Sequence, residues 1–145
     1  MGSTVNIKNT LATLNSEPIE EPAVFTNFVN WFEIPSYNHY RAVAFYNYIY
    51  DIQITSVELN GYHMGFFPAE GGIGGAIVTG PGCIPSDNGP LLYLNGGTDL
   101  NNVLLKVNEA GGRVVMPKTF LSETVGYFAM FIDSEGNRLA LHSKQ

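Results

Sequence analysis

The residue types that usually carry chemistry are sparse in this chain, and few stand in a recognised spacing. Cys83 is the only cysteine, which excludes an intrachain disulfide and a cysteine-cluster metal site. The glycine-rich stretch 71–75 lacks the Lys-Ser/Thr pair and the following helix of a phosphate-binding loop, so it predicts a hairpin turn. No Gly-x-Ser-x-Gly nucleophile motif occurs. His39 is predicted to be exposed at the start of a helix, and His63 to lie in a strand, facing either side.

Length and composition limit the class of protein. The 145 residues, 45% of them hydrophobic, are enough for one continuous core. No apolar run approaches the roughly 18 to 20 residues that cross a bilayer, and no signal-peptide pattern opens the chain, so we expect a cytoplasmic protein without membrane contact. Seven Lys and Arg against thirteen Asp and Glu give a net charge of −6 without a basic cluster, which disfavours nucleic-acid binding.

The predicted secondary-structure elements that would position a site occur in two similar halves of the chain. Residues 1–23, rich in Ser, Glu and Pro towards their end, predict a solvated N-terminal arm. Beyond the arm, each half opens with a predicted strand, at 25–35 and 90–96, that leads into a helix. Both helices carry apolar residues at i, i+3, i+4 and i+7: Ala42, Phe45, Tyr46 and Ile49 in the first, and Leu100, Val103, Leu104 and Val107 in the second. Each helix therefore has one buried face.

The second part of each half shows residue identities at a single offset. Five residues recur 65 positions later (126 − 61 = 65): Gly61, Tyr62, Phe66, Glu70 and Gly71 are matched by Gly126, Tyr127, Phe131, Glu135 and Gly136. In both halves the pattern predicts a strand, a polar turn and a closing strand, preceded by strands at 52–59 and 113–116. The sequence therefore predicts one domain, 24–145, made of two βαβββ units at about 24–80 and 89–144.

This plan resembles the vicinal-oxygen-chelate superfamily of glyoxalases, bleomycin-resistance proteins and dioxygenases. The segment 30–35, followed by Arg41 and Phe45-Tyr46, looks like the opening strand and helix of that superfamily, and the segment 131–139 looks like its closing hairpin. The resemblance is to the glyoxalase-like subgroup whose activity is often unassigned. It implies an α+β fold in which the curled mixed sheets of two βαβββ units enclose a common cavity.

In this superfamily, four inward side chains of the first and last strands of the two units typically hold a divalent metal. Transferred onto this chain, those places are Trp31, Gly75, Leu92 and Ala140, and none of them offers a suitable lone pair. We therefore expect no metal and no cofactor. A shift of one residue would bring Asn30 and Phe32 inward and turn the strand over, but Asn30 would restore only one ligand. Trp31 would then pack as core filler rather than line a pocket.

Alternation along the strands places the next inward layer two residues further on. It contains Glu33, Ile77, Leu94 and His142. Glu33 and His142 are the catalytic candidates, as a base and its orienting partner, unless backbone or solvent simply satisfies them. The other members of both layers, Trp31 and Gly75 among them, are candidate ligand-binding residues.

Two functions follow from these expectations. The first is a metal-independent protein of the glyoxalase/bleomycin-resistance type that binds a small organic molecule in the sheet cavity, where Trp31 would stack against an aromatic or cationic group. The second is a glyoxalase-like lyase or isomerase, or a dioxygenase-type enzyme, that uses Glu33 with His142 or a metal at unrecognised ligands. The resemblance also makes a homodimer an open possibility.

Overall fold

The computed structural model describes residues 21–145. Residues 1–20 lie outside it, so the predicted arm at 1–23 falls almost entirely outside the described residues. Residues 21–30 are exposed and carry no regular secondary structure. Within the described part of the chain, no helix is both long enough and apolar enough to span a bilayer.

The first unit is a four-stranded mixed sheet with one helix on one of its faces. Its elements are β1 (Trp31–Ser36), α1 (His39–Tyr50), β2 (Thr55–Leu59), β3 (Tyr62–Phe66) and β4 (Gly74–Thr79). The strand order is β1-β4-β3-β2, with β1 parallel to β4 and the other pairs antiparallel.

The second unit repeats this topology with a shorter helix. Its elements are β5 (Tyr93–Asn95), α2 (Asn101–Leu104), β6 (Arg113–Ser122), β7 (Gly126–Ile132) and β8 (Arg138–Ser143), in the order β5-β8-β7-β6. The predicted α+β fold of two βαβββ units is confirmed, although the two sheets do not close on each other.

Helix α1 follows directly from its local sequence. The side chain of Asn38 caps it by accepting a hydrogen bond from the Arg41 backbone nitrogen at 3.1 Å. The four predicted apolar positions are all buried, and the helix ends at Asp51, which adopts the left-handed conformation. The counterpart α2 is a single turn without a side-chain cap, yet its four predicted apolar positions are buried as well.

Both units contribute to one core on the helix side of their sheets. The Phe45 ring of α1 lies 6.1 Å from the Phe131 ring of β7, and Tyr46 donates a hydrogen bond to the buried Asp133 at 2.7 Å. Burial and the neighbouring Asp133 carboxylate raise the pKa of Tyr46 well above its usual value, so the phenol remains a neutral donor. Helix α1 is therefore shared between the two units.

A buried carboxylate fixes the start of α1 to the opposite unit. Glu135, in the β7–β8 turn, accepts hydrogen bonds from the backbone nitrogens of Tyr37 and Asn38 at 3.0 and 2.8 Å. It also forms a two-point ion pair with Arg41, at 2.7 and 3.0 Å. The predicted polar turn thus holds the two units in register.

Candidate functional site

Each sheet has a helix-side face and an outer face, and the strand register assigns the residues to them. On the helix-side face of the first sheet, Ile34 and Ile77 belong to the core, and a Cβ at Gly65 would contact side chains of α1. Trp31 and Glu33 alternate with these positions, so they lie on the outer face. In the second sheet Leu94 and Leu141 face the helices, whereas Ala140 and His142 lie on the outer face.

The predicted site residues therefore do not form the inward layers expected from the sequence. Trp31, Glu33, Ala140 and His142 lie on outer faces, but Gly75, Ile77, Leu92 and Leu94 lie on the helix side. The strand register gives the residues that share each outer face. On β4, the partners of Trp31 and Glu33 are Gly74 and Ala76. On β5, the partners of Ala140 and His142 are Tyr93 and Asn95.

For Gly75 and Ala140 the mismatch arises because residues 65 positions apart in the two halves lie on opposite faces. The Phe66 ring lies 6.1 Å from the Trp31 ring on the outer face, whereas the matching Phe131 packs against Phe45 on the helix side. Ala76, which lies 64 positions before Ala140 (140 − 76 = 64), shares its outer-face position. A change of one residue in spacing turns every side chain of a strand to the other face, so Gly75 was assigned to the wrong face.

Trp31 forms an aromatic platform on the outer face of the first sheet. Its ring lies over Gly74, where an added Cβ would come within 3.2 Å of the indole, and its centroid is 6.1 Å from that of Phe66. The indole nitrogen donates a long hydrogen bond, 3.4 Å, to Glu33. Trp31 is 45% exposed, so an exposed aromatic ring lies beside a carboxylate. We call the group of Trp31, Glu33, Phe66 and Gly74 the Trp31 platform.

His142 and Glu33 are not brought together within one chain. His142 donates from Nε2 to the backbone carbonyl of Val125 at 2.6 Å and lines a cleft with Leu121 and Lys144. Glu33 lines a different cleft, beside Ile84 and Arg138. Each candidate thus has its own partner and its own surroundings.

The donor set does not fit the divalent metal that the fold implies. Among outer-face positions of β1, β4, β5 and β8, only Glu33 and His142 carry a carboxylate or an imidazole. A protein metal site generally uses three or four such donors. Between residues 21 and 145, no three His, Cys, Asp or Glu side chains stand close enough to hold an ion.

The outer faces carry more apolar surface than a solvated sheet face usually does. Antiparallel strands with one wet face normally alternate apolar and polar residues. Here Val57 and Leu59 of β2 are exposed on that face, and Met64 between them and the platform is half-buried. The second sheet presents Tyr93, whose ring lies 6.3 Å from that of Phe128.

A separate cleft opens between the edge strands β1 and β5, and residues of both the helix-side and the outer faces line it. We call it the junction cleft; its volume is about 610 Å³. Its walls include Phe32, Tyr50, Phe67, Ile73 and, from the predicted ligand-binding set, Gly75, Leu92 and Leu94. Ile77, from the same predicted set, is fully buried in the core.

Sequence reasoning misplaced His39, which is buried rather than exposed. Its ring nitrogens lie 3.1 Å from the Thr79 hydroxyl and 2.9 Å from the Ser56 hydroxyl, on the helix side of the first sheet. Burial, together with the neighbouring His63, lowers the pKa of His39 below its usual value. No local signal predicts this group, because its members are brought together only by the pairing of β2, β3 and β4.

Comparisons with known proteins give a likeness of fold. No family model matches the chain, and no curated protein sequence matches it. A glyoxalase/bleomycin resistance protein from Albidiferax ferrireducens aligns with a TM-score of 0.60 at 15% identity, covering 82% of this chain and 100% of that one. TnmS3, an antibiotic binding protein from Streptomyces, aligns with a TM-score of 0.56 at 21% identity, covering 85% and 100%.

A variant of glyoxalase I from Zea mays aligns with a TM-score of 0.59 at 13% identity, covering 79% of this chain. This chain spans 45% of that enzyme's length. Together these structures show a likeness of fold: the two four-stranded sheets of this chain are arranged as in glyoxalase I and glyoxalase/bleomycin resistance proteins.

Proposed function

We propose that this chain is a metal-independent binding protein of the glyoxalase-like subgroup, and that it takes a small organic molecule against its outer sheet faces. The Trp31 platform carries this proposal. An exposed indole with a carboxylate beside it suits a ligand that combines a ring with a cationic group, because the ring face attracts the cation and the carboxylate neutralises it. The fold of the antibiotic binding protein TnmS3 is consistent with such a role.

The platform can be tested with benzyltrimethylammonium as the probe. Trp31 is the only tryptophan, so tryptophan fluorescence, excited selectively over the eight tyrosines, reports on the platform alone. We expect saturable quenching that Glu33→Gln weakens several-fold, since an exposed charge contact contributes on the order of 0.5–1 kcal/mol. Glu70→Gln is the matched control, because Glu70 is an exposed carboxylate in the β3–β4 turn. Equal affinity in the two variants would refute the role of Glu33, and unsaturable quenching would refute the proposal.

The proposal includes a second copy of the chain. One outer face leaves Trp31 and Leu59 exposed, at 45% and 57%, and a second sheet laid over it would bury them and enclose the ligand. Sedimentation velocity should show a dimer that Leu59→Glu dissociates. Leu105→Glu is the control, since Leu105 is equally apolar but lies at the end of α2. A monomer at all concentrations would contradict the two-copy site.

The enzymatic alternative, a lyase, isomerase or dioxygenase, has less support. Its proposed base and partner, Glu33 and His142, line different clefts, and Nε2 of His142 is engaged by a backbone carbonyl. No observation in residues 21–145 favours this alternative over binding.

A further inference from the structure

The junction cleft is built from parts of the chain that are distant in sequence. Phe32 comes from β1, Tyr50 from the last turn of α1, and Leu92 and Leu94 from the strand region of β5. The Phe32 ring packs against Phe67, with centroids 5.6 Å apart, so this wall is held in place by the core. The cleft is therefore preformed by tertiary packing.

Gly75 determines how deep the cleft is. It pairs with Phe32 in the β1–β4 register, and a Cβ at this position would overlap the Phe32 ring. Glycine within a strand weakens it, and close approach of another group is a common reason for its presence. Here the absence of a side chain lets Phe32 lie against β4, which leaves the space above the ring open.

The lining of the cleft selects against charge. Among residues 21–145, none of the side chains that line the cleft is charged, and the polar ones are Tyr50, Tyr93 and Asn95. The Tyr50 hydroxyl donates to the Asn95 carbonyl at 2.8 Å, and burial raises the pKa of this phenol well above its usual value. A charged ligand would lose its hydration here without gaining a partner.

From this geometry we infer that the junction cleft is a second binding site, which takes a compact, uncharged apolar molecule. Its volume of about 610 Å³ lies within the range of small-molecule sites, roughly 300–1,000 Å³. The inference does not rest on the proposed function, since the cleft shares only Gly74 with the Trp31 platform, and Trp31, Glu33 and Phe66 do not line it.

The neutral fluorescent probe N-phenyl-1-naphthylamine tests this site in the full chain. We expect saturable binding of one molecule per chain. Ile73→Glu places a carboxylate at the rim, where Ile73 is 38% exposed, and should weaken binding by about tenfold or more. Leu105→Glu adds the same charge outside the cleft and should leave the affinity unchanged. Urea unfolding of both variants shows whether they remain folded.

Two further measurements keep the test independent of one variant. Gly75→Ala pushes the Phe32 ring into the cleft and should also weaken probe binding. In amide NMR spectra of the wild-type chain, the probe should shift Gly75, Leu92 and Leu94 rather than Trp31, Glu33 and Phe66. The inference is overturned if Ile73→Glu binds as well as Leu105→Glu or if the shifts map to Trp31, Glu33 and Phe66. The inference is also overturned if the wild type shows no saturable binding of the probe. That result is expected if another segment of the chain or a second copy fills the cleft.

Discussion

Replacement of Glu135 by glutamine is predicted to destabilise the protein clearly, because this carboxylate is buried and joins the two units. The Glu135 side chain is fully buried and accepts from Tyr37, Asn38, Arg41 and Ser134 at 2.7 to 3.0 Å. Hydrogen bonds to a charged group contribute about 1.5–3 kcal/mol each, and breaking a buried ion pair costs about 3–5 kcal/mol. Arg41 is 53% exposed and glutamine keeps one acceptor, so we expect a loss of about 2–4 kcal/mol.

The effect should depend on pH in a defined direction. Burial alone would raise the pKa of Glu135, but hydrogen bonds from Arg41, the Asn38 backbone and Ser134 outweigh it and bring the pKa below its usual value of 4.5. The folded state therefore binds fewer protons than the unfolded state. The contribution of the Glu135 carboxylate to the free energy of unfolding is present above about pH 4.5 and is lost as the pH falls through the lowered pKa.

Urea unfolding at several pH values measures both effects. The loss of 2–4 kcal/mol is a large share of the roughly 5–15 kcal/mol that stabilises a domain, so the midpoint should shift clearly at pH 7. The difference between wild type and Glu135→Gln should shrink towards pH 3. Glu70→Gln is the control, because Glu70 is the sequence match of Glu135 but is exposed. The reasoning fails if the two variants unfold within about 0.5 kcal/mol of each other.

Three more outcomes are expected. Elemental analysis after dialysis against zinc, nickel or manganese should find no stoichiometric metal; one tightly held ion per chain would refute the donor argument. His142→Ala should lose about 1 kcal/mol through its bond to Val125 without changing benzyltrimethylammonium binding. Since the pKa of folded His39 is lowered by burial and by His63, its stabilising contribution is present above about pH 6.5 and lost as the pH falls through the lowered pKa. NMR titration of its ring should show this pKa, and an ordinary value would contradict it.

Local sequence was sufficient for the order of the elements but not for their bounds, since β1 begins at Trp31 rather than at residue 25 and β6 runs to Ser122 rather than to 116. Helix α1 is predictable because its cap Asn38 and its four buried positions all lie within about three turns. The topology of each unit also follows from repeated local patterns. The length of α2 did not follow, because apolar spacing alone does not maintain a helix that lacks a cap.

Only the tertiary structure determines which side chains of each strand lie on the helix-side face of the sheet and which lie on its outer face. The sequence placed Trp31, Glu33, Ala140 and His142 in inward layers with Gly75, Ile77, Leu92 and Leu94, whereas the register puts the two groups on opposite faces. Identical residues at a 65-residue offset do not reveal that residues 65 apart, such as Gly75 and Ala140, lie on opposite faces of their sheets. Register depends on pairing between strands, and one residue of slip reverses it.

The two matched glutamates show the same limit at a single side chain. Glu70 and Glu135 occupy the same place in the repeat, so the sequence alone predicts one role for both. Glu135 contacts the start of α1 and Glu70 is exposed. The partners of Glu135 lie 94 to 98 residues away along the chain, in the other unit, so local sequence does not reveal them. The sequence by itself determined which turn each glutamate occupies. The packing of the two units decided that one is a buried anchor and the other a solvated charge.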